Sequence, residues 1–395
     1  MIIKITTNRD DKKFFIQELF SNGTDWVVEW AIDETKRMSR IPYQISIAIE
    51  SGAAESGRLD LLQSYPYKHL KNPSICDLAA KSGHFELLKW ARQQGYRWTS
   101  KTCTNAAFAN RFDILQWARE NGCKWSEHTP AAAALVGNLE MLRWVIQHGC
   151  FLSCYSVATA ATSIGSLPML EYLDQLYPGR FSLRSAGSSG HMHVIEWAKA
   201  RGYSLKYVWL GAAEAGRLDI LQWLKENRVP LYSSYHPESP YAQAAIHGHL
   251  HVLKWLKENG YPWTSDLTFT DVAAKGHLEV LKWLRENDGP KGQVCEFAAL
   301  KGHLHILQWA IKNGYSLYRQ VCSCAAKRGH LNILKWAREN GCDWDQDTCR
   351  EAAINGHVNL LDWAYDNGCP FTRKHCLQSA PPSVQKWYKN KKNKR

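Results

Sequence analysis

Cysteine and histidine are the residue types in this chain with the widest range of possible chemistry. The sequence contains 12 cysteines and 16 histidines in 395 residues. Cys322 and Cys324 lie near His330, and Cys342 lies near Cys349, which offers thiolates and an imidazole of the kind that bind zinc. No Cys-x-x-Cys pair is present, although that spacing is common in structural zinc sites.

The spacing of the cysteines favours packing over metal binding. They recur at intervals of 27 residues in four series: Cys76 and Cys103; Cys295, Cys322, Cys349 and Cys376; Cys123 and Cys150; Cys342 and Cys369. A residue fixed to one position of a repeat is a packing unit, and free cysteine behaves as a small buried hydrophobe. We therefore predict no metal, no cofactor and no disulfide.

The histidines follow the same periodicity. Seven of the sixteen stand in a Gly-His pair, namely His84, His191, His249, His277, His303, His330 and His357. Such a histidine begins a helix and can hydrogen-bond to neighbouring backbone, whereas catalysis needs a single His beside a single nucleophile or carboxylate. The sequence also lacks a P-loop, a dinucleotide fingerprint, Gly-x-Ser-x-Gly and His-Glu-x-x-His. We predict that the chain has no catalytic residues and is not an enzyme.

The Gly-His pairs belong to a longer repeated frame: Ala-Ala, two residues, Gly-His, and an apolar run ending in Trp. About twelve copies follow one another at steps that are mostly 26 to 28 residues long. The positions equivalent to the glycine are 57, 83, 110, 137, 165, 190, 216, 248, 276, 302, 329 and 356. Each copy is too small to bury its own apolar face, so neighbouring copies must stack.

One copy shows how the residues predict two short helices. Ala325-Ala326 ends the first helix, and a glycine reverses the chain because a positive φ costs it little. The apolar positions of Leu331–Glu339 spread over one wide arc at 100° per residue, which predicts an amphipathic second helix. Gly341 stops that helix, and Asp347 is the predicted N-cap of the next one.

The frame resembles the second half of the ankyrin repeat over roughly residues 48 to 370. It departs from that family in its period, which is near 27 rather than about 33, and in lacking the Thr-Pro-Leu-His opening. This short form, rich in Trp and Cys, is similar to ankyrin arrays of giant DNA viruses and some protists. The resemblance implies an all-α solenoid of helix–turn–helix repeats that binds other proteins, with most of the projecting β-hairpin missing.

The chain divides into four predicted segments. Residues 1–45 do not fit the frame and are interpreted as an N-terminal helical cap, with a separate adaptor module as the alternative. The ankyrin-like array occupies residues 46–371, and a degenerate repeat with a C-cap occupies 372–388. Residues 389–395 form a basic tail, which is either solvated or available for nuclear import or weak phosphate contact.

Tryptophan accounts for 18 residues and occupies two positions of the repeat. One set ends the apolar run of the second helix, where each ring is expected to pack against the next repeat. A second set in the loops between repeats is a candidate for partner binding: Trp98, Trp125, Trp263 and Trp344. The same role is predicted for an insertion in the array, because exposed aromatic side chains favour protein contacts; its candidates are Tyr232, Tyr235 and His236.

Positions that vary between copies are expected to determine specificity. On the first helix, one such position corresponds to the His of the ankyrin Thr-Pro-Leu-His opening. It is occupied in this chain by Asp77, Thr104, Glu296, Ser323 and Arg350. We expect these side chains and the loops to contact a protein partner along the concave surface of the solenoid.

A net charge of +12 makes nucleic acid the main alternative partner. A basic ribbon would contain Arg92, Arg119, Lys199, Lys225, Lys257, Arg285 and Arg338. However, the lysines at positions 254, 282 and 335 each stand four residues before a glutamate, which predicts ion pairs on a solvated face. Protein binding is therefore the favoured prediction, and nucleic-acid binding the alternative.

The composition indicates where the protein acts. No run of 18 apolar residues and no apolar leader is present, so we expect no membrane span or secretory signal. Twelve cysteines without such a signal favour a reducing, cytoplasmic or nuclear location. We further expect a monomer.

Overall fold

A computed structural model of the chain describes residues 43–64, 72–179, 182–231, 239–261, 269–287 and 292–392. These residues form 26 α-helices and no β-strand, as predicted for a helical repeat solenoid. Most helices are six to ten residues long, and they alternate between a first and a second helix of each repeat. No described helix combines the length and the apolar character that crossing a membrane would require.

The helices group into two compact units that divide after Ser185. Five helix pairs lie in the first unit: α1 Tyr43–Ser56 and α2 Leu59–Ser64; α3 Ile75–Ser82 and α4 Phe85–Gln93; α5 Ser100–Phe108 and α6 Phe112–Glu120; α7 Thr129–Leu135 and α8 Leu139–Gln147; α9 Cys154–Ser163 and α10 Leu167–Leu176. Helix α11, Arg184–Ser189, spans the boundary between the units.

The second unit continues the same alternation. Its helices are α12 Met192–Ala200, α13 Lys206–Glu214, α14 Leu218–Glu226, α15 Pro240–Ile246, α16 Leu250–Glu258, α17 Phe269–Lys275, α18 Leu278–Glu286, α19 Val294–Lys301, α20 Leu304–Lys312, α21 Gln320–Lys327, α22 Leu331–Glu339, α23 Gln346–Ile354 and α24 Val358–Asp366. Two further helices, α25 Arg373–Leu377 and α26 Pro382–Lys392, follow the last full pair.

Within each unit the first helices contact one another in series. Helices α1, α3, α5, α7 and α9 form one such row, and α13, α15, α17, α19, α21, α23 and α25 form the other. The paired alanines of these helices are the reason for the close approach, since Ala298, Ala325 and Ala352 are all completely buried. A small side chain lets two helix backbones approach closely, so this row forms the packed interior of the stack.

The glycine that ends the first helix adopts a left-handed conformation, as the sequence predicts. Gly83, Gly302 and Gly329 have φ values of 78°, 90° and 74°. Asn110 takes the same place in its repeat with φ of 53°. Asparagine is among the few other residues that tolerate this region, which explains how one repeat dispenses with glycine.

The boundaries of α22 confirm the prediction for the second helix. It spans Leu331–Glu339 and is followed by Gly341, whose φ is 78°. The predicted cap of the next helix is wrong, because Asp345 rather than Asp347 precedes α23. Asp345 is extended and its Oδ1 accepts the backbone N–H of Asp347 at 3.0 Å, whereas Asp347 already lies in the first helical turn.

The C-terminal helix α26 lies against α24. Val384 is fully buried there, and the indole Nε1 of Trp387 donates to Asp362 at 2.6 Å. Lys391 reaches both Asp362 and Asp366 at 2.7 Å. Helix α26 also includes Lys389 and Lys392, which belong to the predicted basic tail. Residues 393–395 and all of 1–42 lie outside the described part of the chain.

Candidate partner-binding surface

Histidine and glycine connect successive repeats at the turn between the two helices. The Nε2 of His84 lies 3.0 Å from the carbonyl of Glu55 in the preceding repeat, and that of His249 lies 2.9 Å from Glu214 O. Each imidazole also covers the preceding repeat's turn glycine: a Cβ placed on Gly329 would lie 2.7 Å from Nδ1 of His357. Glycine is thus needed here both for its positive φ and for the space that the next ring occupies.

Burial lowers the pKa of His249, His277 and His330, although a hydrogen bond to a backbone carbonyl opposes the effect in each case. Three repeats have arginine in place of this histidine, namely Arg58, Arg111 and Arg217. Arg111 donates to the carbonyl of Gly83, and the Arg217 guanidinium occupies the space beside Gly190.

The cysteines lie inside the stack. All twelve are free thiols, and ten of them are buried. In three repeats, the first-helix thiol and the loop thiol 20 residues later are neighbours; Cys322 Sγ lies 3.4 Å from Cys342 Sγ. The loop thiols donate to the preceding loop, as Cys123 does to Thr99 O at 3.3 Å and Cys369 does to Asp345 O at 3.5 Å.

Burial raises the pKa of two first-helix thiols, Cys76 and Cys295, to about 12, so both stay protonated at neutral pH. No group of three or more potential metal-ligating side chains comes together in the described ranges. The cysteine periodicity therefore corresponds to buried packing positions.

The loop tryptophans form a recurring unit with an arginine of the preceding helix. The Arg92 guanidinium lies 4.0 Å from the ring centroid of Trp98, and its Nη1 donates to the loop carbonyl of Tyr96 at 2.5 Å. Arg119 repeats the arrangement with Trp125 at 4.8 Å. Three cations of the predicted basic ribbon, Arg92, Arg119 and Arg338, are therefore used inside the molecule.

Each of these loop rings also meets the helix tryptophan of the next repeat. Trp98 lies edge-on to Trp117 with centroids 5.8 Å apart, and Trp344 lies at the same distance from Trp363. Trp98, Trp125 and Trp344 are half-buried. Each ring thus contributes to packing and remains partly accessible.

Lysines of the ribbon also make contacts between repeats. Lys199 Nζ lies 2.5 Å from Oδ1 of Asn227, and Lys257 Nζ lies 2.5 Å from Oδ1 of Asn287. Lys225 contacts Asn259 in the same way. These asparagines also cap their helices by donating to the carbonyl of the helix tryptophan, so Lys and Asn form a second link between repeats.

Among the described residues, the ion pairs predicted for Lys282 and Lys335 are not formed. Lys282 contacts Glu279 at 2.7 Å rather than Glu286. Lys335 lies over the ring of Trp363, 5.7 Å from its centroid, instead of pairing with Glu339. Helical side chains lean toward the N-terminus, which brings a lysine closer to a glutamate that precedes it.

Two of the predicted specificity residues lie inside the stack. Asp77 is buried and accepts from the hydroxyls of Thr99 at 2.9 Å and Thr102 at 2.5 Å in the next repeat. Thr104 is buried and lies 3.1 Å from Thr129 Oγ1. These contacts hold neighbouring first helices together, and neither side chain is presented to a partner.

The other predicted residues of this row are accessible. Glu296, Ser323 and Arg350 are half-buried and occupy successive repeats of the second unit. Arg350 contacts Asp347 and Glu351, both at 3.3 Å. The remaining candidates, Tyr232, Tyr235, His236 and Trp263, lie outside the described residues.

The most exposed large apolar side chains were not singled out from the sequence. Phe151 and Tyr155 are 70% and 65% exposed; they lie in the loop before α9 and in the first turn of that helix. Tyr318, before α21, is 61% exposed. A signal existed, because the residue after the loop cysteine is Lys, Asp or Pro in other copies and is Phe only at position 151.

A second set of exposed apolar side chains lies at the opposite end of the first helices. Phe108, Leu135 and Ile164 stand near the turns of three successive repeats and are 49%, 44% and 36% exposed. Ile164 Cδ1 lies 3.8 Å from a Cβ placed on Gly137, so this turn edge is continuous between repeats. We call this surface the turn edge. We call the surface formed by the loops between repeats, which includes Trp98, Phe151 and Tyr155, the loop edge; the turn edge serves as its comparison.

One segment of the chain matches a known protein family. Residues 295–338 match the family model "Ankyrin repeats (many copies)". The matched segment contains α20, α21 and most of α19 and α22, including the first-helix thiol Cys322. No curated protein matched the chain.

Among solved structures, the chain is similar to the pentatricopeptide repeat protein PPR10 from maize, with 11% identity and a TM-score of 0.32. The match covers 94% of this chain and 62% of that one. A structure of PPR10 in complex with an 18-nt psaJ RNA element gives 10% identity and a TM-score of 0.35, covering 91% and 59%. The chain thus spans about three fifths of those proteins, and the ankyrin-type match is the one that agrees with its repeat frame.

Proposed function

We propose that the chain is a non-catalytic scaffold or adaptor that binds other proteins through the loop edge of its repeats. The observation that carries this proposal is the exposure of Phe151 and Tyr155, at 70% and 65%, the highest among the large apolar side chains of the described residues. Aromatic side chains are enriched where proteins bind one another, and large exposed ones mark such sites. The ankyrin-repeat match of residues 295–338 supports the same function.

Other residues of the loop edge complete the proposed surface. The half-buried rings of Trp98, Trp125 and Trp344 would extend it, and Glu296, Ser323 and Arg350 would supply polar contacts that differ between repeats. We retain Tyr232, Tyr235, His236 and Trp263 as predicted contacts. The cysteines form no disulfide in the described residues, which supports a reducing cytoplasmic or nuclear location, and we propose that the chain acts as a monomer of the short, Trp- and Cys-rich ankyrin type.

Nucleic acid is the alternative partner because of the net charge of +12. The internal contacts of Arg92, Arg119 and Arg338 weaken it, since a guanidinium that stacks on Trp and bonds a carbonyl has fewer donors left for phosphate. Binding through phosphates would also fall steeply as salt rises, whereas apolar-centred protein binding would persist.

Two exposed apolar pairs allow a matched test. We expect the double variant Phe151→Ala/Tyr155→Ala to lose its protein partners when purified from its native cell at moderate salt with nuclease added. The variant Phe108→Ala/Leu135→Ala removes two exposed apolar side chains at the turn edge, 49% and 44% exposed, and should keep its partners. If only the Phe108→Ala/Leu135→Ala variant lost its partners, the binding surface would be the turn edge and not the loop edge. If nuclease treatment removed all partners, nucleic acid would be the favoured partner.

A further inference from the structure

The last two helices enclose a cleft with an unusual concentration of positive charge. The cleft has a volume of about 930 Å³ and is lined by Arg373, Lys374, Leu377, Gln378, Gln385, Tyr388, Lys389 and Lys392. Four of these eight side chains are cations and none is a carboxylate. Such a site repels cations and attracts a ligand with several negative charges.

The arrangement follows from the two faces of α26. Trp387 and Lys391 face α24, where they contact Asp362 and Asp366. The residues at spacing i, i+3, i+4 and i+7 on the other face line the cleft, namely Gln385, Tyr388, Lys389 and Lys392. Asp362 and Asp366 of α24 thus hold α26 in place through Trp387 and Lys391, and they do not contact the cleft lysines Lys389 and Lys392.

Helix α25 supplies the opposite wall with Arg373 and Lys374. Neither these two nor Lys389 and Lys392 has an acidic partner in the described ranges of the chain. A cation held within a concave wall gains more from an anion than one on an open surface, because the low-dielectric walls focus the field.

The aromatic residues of the cleft indicate which polyanion fits. Tyr388 stacks on Phe371 with centroids 5.5 Å apart and 15° between planes, and the Arg373 guanidinium lies 5.9 Å from the Tyr388 centroid. Single-stranded nucleic acid is usually bound on aromatic rings with free faces. Here the ring is already stacked, whereas three lysines, an arginine and two glutamine amides suit carboxylates and peptide backbone.

We propose that this cleft binds an acidic peptide segment of a protein partner, rich in Asp and Glu. This proposal rests on the protein-binding function above and gives it a second contact, at the C-terminal end of the array. The loop edge would provide apolar contacts, and the cleft would select partners by charge. Charge complementarity of this kind governs specificity and association rate more than total affinity.

The test uses the purified full chain and a fluorescein-labelled ten-residue peptide of alternating Glu and Ser, followed by fluorescence anisotropy at near-physiological salt. We expect saturable binding that weakens by about tenfold in Lys389→Gln/Lys392→Gln, as two exposed charge pairs are lost. The control Lys386→Gln/Lys254→Gln removes the same charge from exposed positions outside the cleft and should leave binding unchanged.

Three outcomes would overturn the proposal: no saturable binding, equal weakening in both double variants, or tighter binding of a single-stranded oligonucleotide that carries the same charge. The first two mean that the cleft does not recognise an acidic peptide, and the third assigns it to nucleic acid. None of them touches partner binding at Phe151 and Tyr155, so failure of the cleft is separable from failure of the proposed function.

Discussion

At the scale of single residues, the turn glycines and histidines show what a repeated pattern can reveal. The Gly-His spacing predicted both the left-handed turn and a histidine that bonds to neighbouring backbone. It could not predict that each ring covers the preceding glycine, because that contact joins residues of different repeats and depends on how the repeats stack. Similarly, Asp77 and Thr104 were expected to face a partner, but both side chains are buried and form hydrogen bonds with the next repeat.

Two glycines separate the effect of backbone strain from that of the histidine contact. Gly329 and Gly341 have similar φ values, 74° and 78°, but a Cβ on Gly329 meets His357 and one on Gly341 meets nothing within 4 Å. We expect Gly341→Ala to lower the free energy of unfolding by about 1 kcal/mol and Gly329→Ala by about 2–3 kcal/mol. Urea titration measures both, and equal losses would show that the ring contact is unimportant.

At the scale of elements, the sequence predicted helices well and caps less well. The apolar arc of α22 predicted both of its ends because it repeats through the array. The cap of α23 was assigned two residues too late, since two aspartates stand close together and only backbone geometry distinguishes them. Phe151 and Tyr155 could not be predicted from the repeat frame because they occur in one copy, whereas a frame reveals only residues that recur.

The Arg–Trp unit of the loops is expected to act as one element. Arg338 lies 4.3 Å from the ring centroid of Trp344 and donates to the carbonyl of Cys342. In a double-mutant cycle of Arg338→Ala and Trp344→Ala, we expect a coupling of about 0.5–2 kcal/mol in the free energy of unfolding. Strict additivity of the two losses would mean that the residues stabilise the loop independently.

At the scale of the whole molecule, pH should act through the histidine links. Burial holds the pKa of His249, His277 and His330 below the ordinary value of about 6.5. As pH falls through that value, the unfolded chain takes up protons that the folded chain does not, so stability is complete above it and declines below it.

We therefore expect the urea midpoint to fall between about pH 7.5 and 5.5. The triple variant His249→Gln/His277→Gln/His330→Gln should show a smaller fall, whatever its stability at neutral pH. A midpoint that falls equally in both proteins would assign the pH dependence to other groups.

We propose that the loop edge, rather than the turn edge, receives a protein partner. Photo-cross-linking tests this in the native cell, with benzoylphenylalanine placed at Phe151 or, as the control, at Phe108. We expect one reproducible set of cross-linked proteins from position 151 that is absent from position 108. Cross-links from position 108 alone, or cross-links to nucleic acid at position 151, would contradict it.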